Sequence, residues 1–237
     1  MCIRDRVRYE EESAVFGEVY VQLNDKTEVT LGHRSFDNET TLKGFVGTVW
    51  WPNYILGSTT RPDNVDSLYD GSDSISKVNI SYQATDDAMV YATVSEGYRP
   101  GGTNRTTQLG ATYDADFLTN YEFGFKTILM DGKLRLNGAV YSMKWDDIQL
   151  GWFDPDISLL GLVDNVGEAK SIGFEIDSKI ILSDKVSATF AFAKNDAVLT
   201  EDYVLRGAVE ARENQDLPFT PDKKGNFGLT AEISDKS

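Results

Sequence analysis

The sequence predicts an all-β chain: an antiparallel up-and-down meander that forms part of a transmembrane β-barrel. Three observations predict it. Apolar residues recur at every second position in run after run, the period of a strand with one apolar and one polar face. Tight turns alternate with long polar segments, so short connections fall at one end of the strands and long ones at the other. The polar faces hold large charged residues beside glycines, which suits a wide wet interior better than a packed core. A soluble antiparallel sandwich or barrel also alternates, and it is the bland alternative.

Composition agrees with strands. The 237 residues include 12 Phe, 11 Tyr, 4 Trp and 20 Gly, against 6 Pro. The formal net charge of -15 argues against nucleic acid, whose backbone asks for a basic surface. No run reaches the ~18 apolar residues of a spanning helix, which says little about strands. Cys2 is the only cysteine and His33 the only histidine. A Ser-His-Asp triad or a hydrolytic zinc site would have to use His33, which sits in an alternating run and reads as a plain strand residue. We expect no enzyme, no metal site and no cofactor. Residues 1–6 lack the apolar core of a signal peptide; they read as a stray start, with the barrel unit at 7–237.

In chain order, residues 13–23 alternate, with Val15, Val19, Val21 and Leu23 on one face and Phe16, Glu18, Tyr20 and Gln22 on the other. Asn24-Asp25-Lys26 turns the chain, which returns from Thr27 to about Asp37. Residues 38–72 read as a long irregular segment, with a short strand or a hairpin extension within 41–51. Strands follow at 74–84 and 88–95 around Thr85-Asp86-Asp87, then a long loop at 96–117. A hairpin runs from Leu118 to Trp145 around Met130–Lys133. Its first strand sets Tyr121, Phe123 and Phe125 against Asn120, Glu122 and Lys126. Loop 146–162 leads to a strand ending near Leu182, in which Ile172, Phe174, Ile176 and Ile180 alternate with Glu175, Asp177 and Lys179. Ser183-Asp184-Lys185 turns, the strand of Phe190 and Phe192 follows, loop 196–221 intervenes, and a last strand spans 227–233 before another turn at 234–236. Nine strands are clear, ten or eleven if 41–51 contributes.

The carboxylates Glu18, Glu122 and Glu175 lie on polar strand faces, and no spacing brings them together as a catalytic pair. Asp146, Asp147, Asp154 and Asp156 lack the ligand spacing of a calcium loop. Trp50, Trp51, Tyr54, Tyr98, Trp145, Trp152 and Phe153 lie near strand ends on the loop side. They serve either as an interfacial aromatic girdle or as ligand contacts. Trp145 reads as girdle, while Tyr98, Trp152 and Phe153 sit further into loops and are ligand candidates. Arg61, Arg99, Arg105, Arg206 and Arg212 supply only scattered positive charge to the loops.

Several segments closely resemble the TonB-dependent outer-membrane receptors, in the C-terminal half of their barrel. They are Tyr91–Asn104 (YATVSEGYRPGGTN), Asn120–Lys126 (NYEFGFK), Asp131–Tyr141 (DGKLRLNGAVY), Trp145–Gln149 (WDDIQ), Asn165–Glu175 (NVGEAKSIGFE) and Leu217–Lys223 (LPFTPDK). The resemblance implies a barrel of about 22 strands, of which nine to eleven stand here, without the N-terminal plug or its energy-coupling box. It implies a Gram-negative outer-membrane receptor that imports a bulky nutrient complex, a ferric siderophore first among the options, and a fragment that does not transport alone. The implied partners are the missing plug, the TonB-ExbB-ExbD complex, outer-membrane lipid and the nutrient complex. Glu96, Asn120, Glu122, Lys126, Glu175 and Asp177 are then expected to face the lumen or the plug. Tyr98, Arg99, Trp152 and Phe153 are the expected ligand contacts, although Glu96 and Arg99 can equally pair with each other. A passive pore or a structural barrel remains the alternative function.

Overall fold

The structure is a computed structural model that describes residues 5–45, 65–105, 111–152, 161–205 and 208–233. In chain order the strands are β1 (Asp5–Asn24), β2 (Thr27–Phe45), β3 (Val65–Thr85), β4 (Ala88–Arg99), β5 (Gly102–Thr103), β6 (Thr112–Tyr113), β7 (Asp116–Leu129) and β8 (Leu134–Asp146). They continue as β9 (Gln149–Trp152), β10 (Leu162–Asn165), β11 (Ala169–Ser183), β12 (Val186–Leu199), β13 (Tyr203–Leu205), β14 (Ala208–Ala211) and β15 (Lys223–Ala231). Nine of them form one antiparallel sheet in the order β1-β2-β3-β4-β7-β8-β11-β12-β15. Each long strand pairs with the next long strand, as a meander requires. The remaining six form three two-stranded ribbons inside the long connections.

Three of the tight turns share one chemistry. Asn24 Oδ1 accepts the amide of Lys26 (3.0 Å), Thr85 Oγ1 that of Asp87 (3.3 Å) and Ser183 Oγ that of Lys185 (3.4 Å). A short polar side chain thus bonds the backbone two residues on, the local bond that favours these residues in turns. Each of these turns also carries a one-residue register shift at the end of the incoming strand. The fourth turn works differently: Met130, Asp131 and Gly132 take φ of 57, 54 and 85°. Lys133 N then donates to Met130 O at 3.2 Å. The turn expected at 234–236 lies outside the described residues.

Directly paired residues share a face. Register therefore carries an apolar row across the sheet through Val21, Val29, Ile80, Ala92, Phe123, Val140 and Phe174. The parallel polar row is Tyr20, Thr30, Asn79, Thr93, Glu122, Tyr141 and Gly173. Contacts that skip strands lie on the polar side. Lys77 Nζ reaches Glu18 at 2.9 Å past Gly32, and the Tyr141 hydroxyl reaches Asn195 at 3.3 Å past Gly173. The sheet therefore curls toward its polar face. Shielding follows the curl: Phe123 and Val140 are each 55% exposed, Thr30 only 6%. An open groove in the apolar face runs between Tyr121, Phe123 and Phe174, where Val140 and Ser142 are smaller.

The long connections are more ordered than the sequence suggests. Of the segment 38–72, residues 38–45 continue β2 and 65–72 begin β3, in unbroken register from Gly44↔Val65 onward. Residues 41–45 are thus a hairpin extension, and 46–51 lie outside the described residues. Asp66, Asp70, Gly71 and Asp73 look like turn formers, but backbone pairing to β2 overrides that local preference. At ~3.3 Å per residue the 21-residue β3 reaches about 70 Å, whereas a tilted crossing uses only ~9–11 residues. Roughly half of β1–β3 therefore stands beyond the apolar band. Likewise β1 begins at Asp5, eight residues before the expected strand start, β4 runs on to Arg99, and β12 to Leu199.

Rings lie over glycines along the curled face. A Cβ at Gly173 would sit 2.5 Å from Lys194 O and against the Tyr141 ring, whereas one at Gly32 meets nothing nearer than 3.7 Å. Gly173→Ala is expected to cost ~1–3 kcal/mol by overpacking, and Gly32→Ala less than about 0.5 kcal/mol. Urea unfolding of the lipid-embedded receptor barrel measures both. Equal effects would remove the packing role assigned to Gly173.

Candidate functional site

The curled face carries several polar clusters. The Tyr91 hydroxyl donates to Glu122 at 2.6 Å, and Asn120 Nδ2 to the same carboxylate at 3.4 Å. Lys126 Nζ lies 5.6 Å from the centroid of the Tyr91 ring. Asn137 Nδ2 donates to Asp177 at 3.1 and 3.3 Å, and Asn79 to Thr93 at 2.7 Å. Glu175 joins this face by register, opposite Ala139 and Ala193. Asn120, Glu122, Lys126, Glu175 and Asp177 thus share the concave side, as strand alternation requires.

Glu96 parts from that set. Strands β3 and β4 stop pairing after Lys77↔Ser95. There the Glu96 carboxylate accepts the Ser76 amide at 2.8 Å. The side chain replaces a ladder bond where the two strands separate. Its register partner is Thr119, on the row parity of Val94 and Tyr121, not of Asn120.

Arg99 pairs with Asp116, not with Glu96. Asp116 is fully buried. Its carboxylate accepts Arg99 Nε at 2.9 and 3.0 Å, Arg99 Nη2, and the Gln149 amide at 2.9 Å. Arg99 Nη2 also donates to Gln149 O at 2.9 Å, and the guanidinium lies 5.3 Å from the Trp145 ring centroid. Gln149 Nε2 donates to Pro100 O (3.0 Å) and Asp114 O (2.8 Å). Asn165 bridges Asp114 O and Asp147 O at 3.1 and 2.7 Å. Asn104 exchanges two bonds with the backbone of Val163, at 2.7 and 2.9 Å. Together these side chains tie the connection between β4 and β7 to the one between β8 and β11 in one knot. Arg99 is a structural tie in that knot, and its side chain stays 46% exposed.

Sequence reasoning assigned no role to Asp116, Gln149, Asn104 or Asn165. Asp116 was reachable in principle, because extending the Ser95↔Asn120 register by four residues sets it opposite Arg99. Gln149 and Asn165 bond across separate loops, and nothing local announces that.

An apolar cluster of Ile148, Val166, Ala169, Ala197, Leu199 and Leu217 packs beside the knot, with Trp145, Leu150 and Tyr203 against it. Trp145 shares the parity of Met143 and Tyr141 on the concave face. It packs into this rim cluster, so the girdle role expected of it does not hold. The Tyr203 hydroxyl donates to Asp164 at 2.5 Å. Burial, then that carboxylate, pushes the phenol above its ordinary pKa. Tyr98 stacks on Phe36 with ring centroids 3.8 Å apart and donates to Glu12 at 2.8 Å, spanning toward β1 where β4 has left β3. Trp152 ends β9, opposite Leu162. Phe153, Trp50, Trp51, Tyr54, Arg61 and Arg206 lie outside the described residues.

The family described as "TonB dependent receptor-like, beta-barrel" matches residues 3–232. The chain belongs to the TonB-dependent receptors. It is 29% identical over 133 residues to the metal-pseudopaline receptor CntO of Pseudomonas aeruginosa, covering 56% of this chain and 18% of that one. It is 25% identical over 198 residues to the ferrichrome outer membrane transporter/phage receptor of Escherichia coli, covering 82% of this chain and 23% of that protein. The fold matches the ferric yersiniabactin uptake receptor FyuA of Yersinia pestis with a TM-score of 0.74 at 19% identity, covering 98% of this chain and 33% of that chain. The siderophore receptor PiuA of Acinetobacter baumannii gives 0.73 at 18% identity, with 97% and 32% covered. The chain thus spans less than a quarter of these curated relatives. As part of a TonB-dependent receptor barrel, it is a Gram-negative outer-membrane protein.

In this receptor barrel the Arg99–Asp116 pair makes a test of the knot. Arg99→Ala leaves a fully buried carboxylate with one amide donor and is expected to cost about 3 kcal/mol. Limited proteolysis of the folded receptor should then cut within 100–116 and 147–165. Adding Asp116→Ala should restore part of the protection, because no unpaired charge remains. Additive losses would show that the pair does not hold the loops.

Proposed function

We propose that the complete receptor imports a metal–siderophore complex across the outer membrane, and that this chain supplies nine strands of its barrel wall. The carrying observation is the curled meander with apolar residues on its exposed face and charged residues on its concave one. That polarity suits lipid outside and a wet lumen inside. The names of the relatives support the substrate class, since several are receptors for iron or metal chelates. In this reading Asn120, Glu122, Lys126, Glu175 and Asp177 line the lumen or meet the N-terminal plug. Outer-membrane lipid contacts Tyr121, Phe123, Val140 and Phe174. Tyr98, Trp152 and Phe153 contact the incoming complex, and TonB-ExbB-ExbD energises transport through the N-terminal region.

The polarity is tested with nitroxide labels in bilayers. A label at Phe123 should be relaxed by oxygen dissolved in lipid, and one at Glu122 by a water-soluble nickel chelate. Reversed accessibilities would indicate a soluble barrel with an apolar core.

Transport is tested by radioiron uptake in cells that express the full-length receptor. Uptake of a ferric siderophore should require both the receptor and an intact TonB system. Uptake that persists without TonB would instead support a passive pore.

A further inference from the structure

Counted along the chain, the arginines of the loops look scattered. The fold brings three arginines together. Arg6 and Arg8 stand two apart on β1, so both lie on the same face, and that face is the concave one of Glu12 and Glu18. Arg105 follows β5, whose ribbon with β6 folds back against β2 and β3. Beneath that ribbon Phe36, Thr40, Leu42, Val65 and Ser67 are buried. Arg6, Arg8, Arg105 and the buried Leu42 line a cavity of about 210 Å³ at the outer end of the concave face.

We propose that this cavity is a subsite for one carboxylate arm of the incoming metal complex, an inference that rests on the uptake reading above. Three observations carry it. First, a cavity of this size is smaller than the ~300–1,000 Å³ of a whole-ligand site, so it suits one arm of a larger molecule. Second, guanidinium forks match carboxylates in geometry and charge. Arg8 already holds a carboxylate here through one nitrogen, Nε to Glu10 at 2.5 Å, which leaves Arg105 as the cation open to a second one. Third, Arg105 is exposed and makes no ion pair among the described residues. Three cations converge here in a chain of formal net charge -15. Glu10 offsets one of these charges through Arg8, and a local excess of guanidinium within an acidic chain selects where an anion docks. The apolar floor of Leu42 excludes water from one side, which strengthens the charge-assisted bonds.

The test uses the full-length receptor in detergent and three ferric trihydroxamate probes. One bears a free carboxylate arm, one the methyl ester of that arm, and one a phosphonate. The carboxylate probe should bind at least about tenfold more tightly than the ester. Arg8→Gln with Arg105→Gln should erase that gap, and an unchanged far-ultraviolet circular dichroism spectrum shows that the variant is folded. Arg105→Gln alone, in an exposed residue outside the sheet, should reproduce part of the loss. Equal binding of acid and ester, or a gap that survives both substitutions, overturns the subsite and leaves the uptake reading intact. A preference for the phosphonate over the carboxylate overturns the assigned arm. Failure of all three probes, together with no chelate uptake by cells, overturns the uptake reading itself.

Discussion

Backbone hydrogen bonding between neighbouring strands is the interaction on which everything else here depends. Inside a bilayer no water satisfies an unpaired amide or carbonyl, so strands must pair along their whole buried length. The ladder from β1 to β15 does this, each long strand joined to the next in antiparallel register. Once register is set, alternation decides which side chains meet lipid and which meet one another. A slip of one residue would send Phe123 to the face of Glu122 and reverse both surfaces. Curl follows from what each face carries. Gly32 and Gly173 leave room for side chains on flanking strands to reach across, and those cross-strand bonds draw the polar side together.

Beyond the apolar band the constraint changes. Strands that rise into water no longer need the ladder to satisfy their polar groups, and β4 leaves β3 at Ser95. The projecting ends of β1–β3 stay paired by their ladders, and the end of β4 is held by side-chain chemistry: the carboxylate of Glu96 on Ser76 N, the stacking of Tyr98 on Phe36, and the Asp116 knot. The buried apolar cluster of Ile148, Val166, Leu199 and Leu217 lies at this rim too. Among the described residues the sheet body has no comparable core, since its apolar face is the exposed one. Order at the rim gives the concave mouth a fixed shape, and that places Arg6, Arg8 and Arg105 around one cavity.

Much of this was legible in the amino-acid order. Asn24, Thr85 and Ser183 announce turns because their side chains bond locally, within two residues, and such bonds need no distant partner. Alternation at Tyr121–Lys126 announces a two-faced strand for the same reason: its period is a property of the backbone itself. From these, nine strands and their antiparallel order were readable, together with the shared face of Asn120, Glu122, Lys126, Glu175 and Asp177. Local chemistry misled where the ladder overrode it, as at Asp66–Asp73, where turn-forming residues continue β3 under pairing to β2.

The sequence by itself determined the strands, their turns and the polarity of their faces, because each depends on neighbours within a few positions. Only the tertiary structure decided what the rim residues do. Arg99 reads as a lone loop cation until Asp116 and Gln149, 17 and 50 residues away, bond to it. Trp145 reads as an interfacial aromatic until register turns it to the concave side. Arg6 and Arg105 stand almost a hundred positions apart in the chain and line one cavity in the fold. The physical reason is common to all three: a charge or a ring takes its role from what desolvates and partners it. In a curled sheet those partners come from strands that the order of residues alone does not bring together.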